Sequence, residues 1–142
     1  GDKTGLAADI QKSIEKLERE SADQDGLNFT IAINYGSRDE ICRAVRHMVE
    51  KGLRPEEITE EVLAAHLDTA GIPDPDLLIR TSGELRLSNY LLWQLAYTEF
   101  YFTDVHWPDF TKEELTKAIE KYNLRERRYG KAEEEPKEEQ LV

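Results

Sequence analysis

The sequence predicts an α/β domain with a mostly parallel central sheet flanked by helices, and three observations carry that reading. Apolar, β-branched runs such as "LNFTIAIN" (27–34) are unbroken rather than alternating, as expected of strands covered on both faces. The segments between them have helical period, giving the order helix, strand, helix, helix, strand, strand, helix. A length of 142 residues with 39% hydrophobic content suits one ordinary domain.

The elements follow in chain order. Residues 6–22 place Leu6, Ile10, Ile14 and Leu17 at helical spacing between charges, which predicts an amphipathic helix ended by "DQDG". The strand 27–34 then runs into "YGSRDE", where Gly36 permits a tight turn and Ser37 is placed to cap a helix over about 38–51. Ile41, Val45, Met48 and Val49 mark the inner side of that helix, and Gly52 stops it. "RPEEITEEVLAAHL" (54–67) reads as a turn and a short helix capped at Thr59, and "IPDPD" as an extended connector.

"LLIRT" (77–81) is the second buried strand, "SNYLLWQLAY" (88–97) is helical for a turn or two, and "EFYFTDVHW" (99–107) is the third strand. Pro108 and Thr111 introduce a last helix, with Glu114 completing a capping box and Leu115, Ile119 and Tyr122 facing inward. From Lys131 the acidic "KAEEEPKEEQLV" (131–142) is too poor in apolar residues to pack and is expected to be disordered.

Composition removes several classes of function. A net charge of −11 argues against general affinity for nucleic acid or other polyanions. A single cysteine, Cys42, excludes an internal disulfide framework and fits a reducing compartment, so a cytoplasmic location is expected. No apolar stretch approaches the ~20 residues of a membrane span. The opening "GDKTGLAADIQ" lacks an initiator methionine and suits a chain cut from something longer.

Against that acidic background, "IRTSGELRLSN" (79–89) concentrates cationic chemistry at the carboxyl end of a predicted strand, where open α/β sheets bind ligands. Arg80 and Arg86 offer planar, permanently charged forks suited to phosphate oxygens, and Ser88 adds a neutral donor. Gly83 lets the backbone turn so that neighbouring N–H groups can face an anion, and Glu84 is placed to fix the arginines. An Arg–Glu network that merely closes the loop explains the same residues. Glu99, between "LAYT" and "FYF", is costly to bury unless it is paired or bound to a hard cation such as Mg²⁺; an arginine partner serves as well as the metal.

Asn34 and Arg38 are weaker ligand candidates beside a turn and helix cap. "RERRYG" (125–130) gathers arginines at a helix end, which complements the helix dipole. His47, His66 and His106 have no metal-ligand spacing. Trp93 and Trp107 read as core or subunit interface.

"IAINYGSRDEI", "DLLIRTSGELRLSNYLLWQLAYTEFYFTDVHWPDF" and "RERRYG" closely resemble the cis-prenyltransferases, specifically the undecaprenyl diphosphate synthase branch, over residues 1–130. The resemblance implies that these residues form the carboxyl-terminal portion of one domain, truncated at its amino terminus. It also implies a Mg²⁺-dependent transferase that condenses isopentenyl diphosphate onto an allylic diphosphate such as farnesyl diphosphate. Each new double bond is cis, and the product is a polyprenyl diphosphate such as the lipid carrier of cell-wall synthesis.

By resemblance, Arg80, Arg86 and Ser88, with the backbone of Leu87, hold the diphosphate of isopentenyl diphosphate, and Glu84 orders the arginines. Glu99 corresponds to a carboxylate at the Mg²⁺ site. Arg128 and Gly130 match an R-x-G element at a homodimer interface near the active site. Leu85 stands where relatives often carry a polar side chain. The family's H-x-x-M-D-G-N-x-R motif, with the principal metal aspartate and the allylic diphosphate cradle, does not occur in the sequence. The resemblance therefore implies a chain that holds the isopentenyl half-site, is inactive alone, and associates with membranes only through its lipid product. A non-catalytic partner subunit of a heteromeric enzyme is the alternative.

Overall fold

The computed structural model describes residues 1–125. The described residues divide into two compact units, one of Gly1–Leu78 with Leu85–Thr98, the other of Ile79–Glu84 with residues 99–125. In the first unit, a short 3-10 turn at Lys3–Gly5 precedes helix α1 (Ala8–Ser21), followed by α2 (Ser37–Glu50) and α3 (Glu60–Ala64). In the second, the Ile79–Arg80 end of strand β1 (Leu77–Arg80) pairs with β2 (Glu99–Phe102), and helix α4 (Lys112–Asn123) follows. Several predicted boundaries hold to within a residue or two. α2 stops before Gly52, whose φ of +74° closes the turn, and the Thr59 hydroxyl accepts from Val62 N at 3.3 Å to cap α3.

The predicted strand 27–34 does not form. Among the described residues no main chain pairs with residues 27–33, so the apolar run is extended but has no ladder. A strand exists only where a neighbour accepts and donates along its edge, and composition alone does not supply one. Residues 88–97 form consecutive turns, with one helical bond from Leu95 N to Leu91 O at 2.9 Å, instead of a helix. Positive φ at Ser88, Asn89 and Leu91 is incompatible with a helical start.

The buried face of α2 also differs from the apolar stripe. Ser37, Glu40, Ala44 and Met48 are buried, while Val45 and Val49 face solvent. The polar members of that face are accommodated because each has a partner. Glu40 accepts from Tyr35 Oη at 2.5 Å, from Asp68 N at 2.8 Å and from Gln94 Nε2 at 3.3 Å. Burial and that bond to Glu40 push the Tyr35 phenol well above its ordinary range. Leu67 and Leu95 complete the apolar part of this core.

Arg43, on the next turn of α2, grips Asp68 with both ends of its fork at 2.8 and 2.7 Å and Asp39 at 2.8 Å. That bidentate bond holds the Asp68 carboxyl down at about 2.

In the second unit, Ala118 is the buried residue of α4, while Leu115 and Ile119, predicted to face inward, are exposed. The capping box predicted at Thr111 is absent, since the Thr111 side chain makes no cap bond to the helix backbone. Lys121 lies 5.3 Å from the centre of the Tyr101 ring, joining α4 to β2. Trp107 is exposed and stacks on Phe110 with centroids 5.7 Å apart.

Candidate functional site: the arginine loop and its supports

The loop after β1 is built by two separate local devices, one in each unit. In the second unit the chain leaving β1 is pinned to the segment after β2. Arg80 O accepts from Thr103 N at 3.0 Å, Ser82 N donates to Val105 O at 2.9 Å, and Gly83 N donates to Thr103 O at 3.0 Å. Ser82 and Gly83 both have positive φ, +66° and +67°. A Cβ at position 83 would also lie 3.0 Å from Asp104 Oδ1, so glycine is required by conformation and by the approach of that carboxylate.

This turn ends β1 at Arg80, whose Nε is buried and has no hydrogen-bond partner among the described residues. Leaving a charged donor unpaired in the interior costs about 1–3 kcal/mol or more, so an orphan of this kind marks a place where an acceptor belongs.

Glu99 opens β2 and is about three-quarters buried. Its carboxylate forms an ion pair with Arg125, whose second nitrogen donates to Phe100 O at 2.9 Å. Of the two explanations the sequence left open for Glu99, an arginine partner is present. That partner is half-exposed and lies just past α4.

In the first unit, Leu87 O accepts from Tyr90 N at 3.1 Å, and Ser88 and Asn89 take φ of +51° and +61°. Left-handed conformation at consecutive non-glycine residues costs free energy and persists where surrounding bonds enforce it. Here α2 enforces it. Asn89 O accepts from Ser37 N at 2.8 Å, Asn89 Oδ1 accepts from Arg38 N at 3.0 Å, and Ser37 Oγ accepts from Leu92 N at 3.0 Å.

The N-terminus of α2 is thus capped by a side chain far along the sequence. Ser37, predicted as the cap, is the first helical residue and instead receives a bond from the loop. A Cβ at Gly36 would meet Asn89 Nδ2 at 2.7 Å, so the same glycine leaves room for the cap.

Sequence reasoning missed Asn89. The available signal was an asparagine, tolerant of left-handed backbone, directly after Ser88 in a loop that must turn sharply. Of the weaker candidates, Asn34 donates to Asp2 O at 2.9 Å, and Arg38 offers its backbone N–H to Asn89. Arg80, Glu84 and Glu99 belong to the second unit, and Arg86, Leu87 and Ser88 to the first. Arg128, Gly130 and the acidic tail lie outside the described residues.

Mg²⁺ can be weighed against this donor set. Among the described residues no group of three or more His, Cys, Asp or Glu side chains is placed to hold a metal ion. Glu99 supplies one hard carboxylate, which fits Mg²⁺ only as a single protein ligand completed by substrate oxygens. No helix among the described residues is long and apolar enough to cross a membrane.

Comparison with known proteins gives this loop its setting. The chain is 55% identical over 134 residues to the isoprenyl transferase of Brucella suis, covering 92% of this chain and 53% of that protein. It is 51% identical over 134 residues to the isoprenyl transferase of Bacillus thuringiensis, covering 92% and 52%. The chain therefore spans about half the length of the curated relatives it matches.

Among solved structures, lavandulyl diphosphate synthase from Lavandula x intermedia, in complex with dimethylallyl diphosphate, matches with a TM-score of 0.86 and 44% identity, covering 92% of this chain and 58% of that one. A probable undecaprenyl diphosphate synthase from Campylobacter jejuni matches with a TM-score of 0.82 and 39% identity, covering 92% and 61%. These likenesses confirm the fold class, a parallel sheet with flanking helices. The undecaprenyl diphosphate synthase model of the prenyltransferases matches residues 1–130, and the chain belongs to that family.

Proposed function

We propose that this chain carries the isopentenyl diphosphate half-site of a cis-prenyl chain-elongating enzyme. The observation that carries the reading is the buried Nε of Arg80, without a partner among the described residues, at the end of a β-strand in a chain of net charge −11. A small, multiply charged diphosphate would give such a donor a charged acceptor and a short, charge-assisted hydrogen bond. Left-handed backbone at the non-glycine residues Ser82 and Ser88 is local strain of the kind that clusters at ligand clamps. Dimethylallyl diphosphate bound to the lavender enzyme supports allylic diphosphates as the co-substrate class.

In the reaction read this way, the allylic carbon–oxygen bond breaks and diphosphate leaves with the electron pair. The isopentenyl double bond forms the new carbon–carbon bond, and the isopentenyl unit loses a proton. Arg80 and Arg86 neutralise the isopentenyl diphosphate, Ser88 and the Leu87 backbone fix its orientation, and Glu84 aligns the arginines. Holding the nucleophilic alkene in one place converts a bimolecular encounter into an oriented one. Apolar surroundings keep water from the cation. Mg²⁺, when bound, supplies neutralisation of diphosphate charge, and Glu99 is the residue that would hold it.

The same reading makes residues 1–130 one portion of a single domain, with Arg128 and Gly130 at a homodimer contact. It places the enzyme in the cytoplasm, making a long polyprenyl diphosphate such as undecaprenyl diphosphate, and inactive without the allylic half. Thermal unfolding with added isopentenyl diphosphate tests it. Ligand at about 100 times its Kd stabilises by about 2.7 kcal/mol. A rise in Tm that Arg80→Ala and Arg86→Ala abolish is expected, and no rise overturns the assignment. Polyprenyl product from the chain alone, given farnesyl and isopentenyl diphosphates, overturns the half-site reading.

A further inference from the structure

Of the arginines in "RERRYG", Arg125 lies among the described residues, and its guanidinium does not serve the α4 dipole as its position at a helix end suggests. One nitrogen of the fork donates to the Glu99 carboxylate and the other to Phe100 O at 2.9 Å, so both bonds go to the start of β2. The two partners are unequally held. Glu99 opens a paired strand and its side chain is 24% exposed, whereas that of Arg125 is 48% exposed and follows Leu124, the last cap residue of α4.

A carboxylate so far withdrawn from water needs a positive charge beside it. Arg125 supplies that charge here. Under the reading that Glu99 holds Mg²⁺, on which this inference rests, two cations claim one carboxylate. At about 5 Å a divalent ion and a guanidinium repel strongly enough, even at the dielectric constant of water, to weaken binding of the ion about 10-fold.

We propose that Arg125 is the stand-in for the divalent ion at Glu99, and that metal binding and release of Arg125 from β2 are one exchange. The guanidinium neutralises Glu99 until the ion displaces it, so the carboxylate never stays charged and unpaired in the interior. The half-exposed arginine is the partner that moves, because it leaves into water, while Glu99 is fixed by the strand it opens. Arg125 thereby sets the metal affinity of the site without touching the metal or the substrate.

The test uses Mn²⁺ alone as the probe and reads the paramagnetic broadening of the Glu99 and Phe100 amides by NMR. Arg125→Gln should reach half-broadening at a Mn²⁺ concentration about 10-fold lower than the parent chain. Arg125→Lys keeps the charge and should stay close to the parent, and Glu99→Gln should abolish the broadening. In the parent, Mg²⁺ should move the Arg125 Nε–Hε signal to the position of a water-exposed arginine over the same concentrations that shift the Glu99 amide. That last readout needs no folded variant, and a merely structural ion pair would not produce it.

Equal Mn²⁺ concentrations for the parent and Arg125→Gln, with broadening still lost in Glu99→Gln, would overturn the exchange and leave Glu99 as a metal ligand. An Arg125 signal that stays in place while Mg²⁺ shifts the Glu99 amide would do the same. Broadening that persists in Glu99→Gln, or that occurs in no form of the chain, would overturn the metal reading of Glu99 and the exchange with it.

Discussion

Replacing Asn89 separates two things that this side chain does for the candidate site. Its Oδ1 accepts from Arg38 N at 3.0 Å as a cap on α2, and its backbone sits at φ +61° beside Ser88. A lost helix cap costs about 1 kcal/mol. A non-glycine, non-asparagine residue held left-handed costs about 1 kcal/mol more. Asn89→Ala removes both and is expected to destabilise the first unit by about 2 kcal/mol, a Tm fall of about 6 °C for a chain of this size.

Asn89→Gly keeps the backbone freedom and loses only the cap, so about half the effect remains. Asn89→Asp keeps the acceptor and places a negative charge at a helix N-terminus, so it should come within about 0.5 kcal/mol of the parent. Urea unfolding followed by circular dichroism measures all of them. Equal losses for alanine and glycine would refute the backbone part of the reasoning, and an unchanged midpoint for both would refute the cap.

Three further outcomes follow from particular contacts. Glu40→Ala leaves the donors of Tyr35, Asp68 and Gln94 without their acceptor and should cost at least about 3 kcal/mol, with Glu40→Gln less harmful, as read from urea midpoints. Asp68, held at about 2 by Arg43, lies below the ordinary carboxylate pKa. Its contribution is therefore present above about pH 4 and lost as pH falls through about 2, worth about 1 kcal/mol after solvent screening, and Asp68→Asn should flatten stability over that window. Gly83→Ala strains φ +67° and crowds Asp104, so it should lower the stability of the second unit by about 1 kcal/mol in thermal unfolding.

How far the fold was legible follows from which forces are local. The end of α2 and the start of α3 were readable because the Gly52 turn and the Thr59 cap act within a few residues. The run 27–34 has the composition of a buried strand, yet its pairing depends on main chain that the described residues do not supply. The buried face of α2 was misread because apolar spacing points to Val45 and Val49. Glu40 takes an inner position only through donors from Tyr35, Asp68 and Gln94, which are brought together by tertiary structure. Leu115 and Ile119 on α4 fail the same way, being apolar at the right period but exposed.

The candidate site shows the same division. Arg80, Glu84, Arg86 and Ser88 stand out as residue types in one loop, and the left-handed Ser82 and Gly83 were foreshadowed by the glycine. Asn89 as the cap of α2 and Arg125 as the partner of Glu99 are contacts across long stretches of chain, which residue types and spacing do not specify.

Isothermal titration of the chain with isopentenyl diphosphate and, separately, with farnesyl diphosphate tests the half-site most directly. One isopentenyl diphosphate should bind per chain, weakened about 10- to 100-fold by Arg80→Ala through loss of a charged hydrogen bond, with no measurable heat from farnesyl diphosphate. Unchanged isopentenyl diphosphate affinity in Arg80→Ala, or tight farnesyl diphosphate binding by the chain alone, would contradict it.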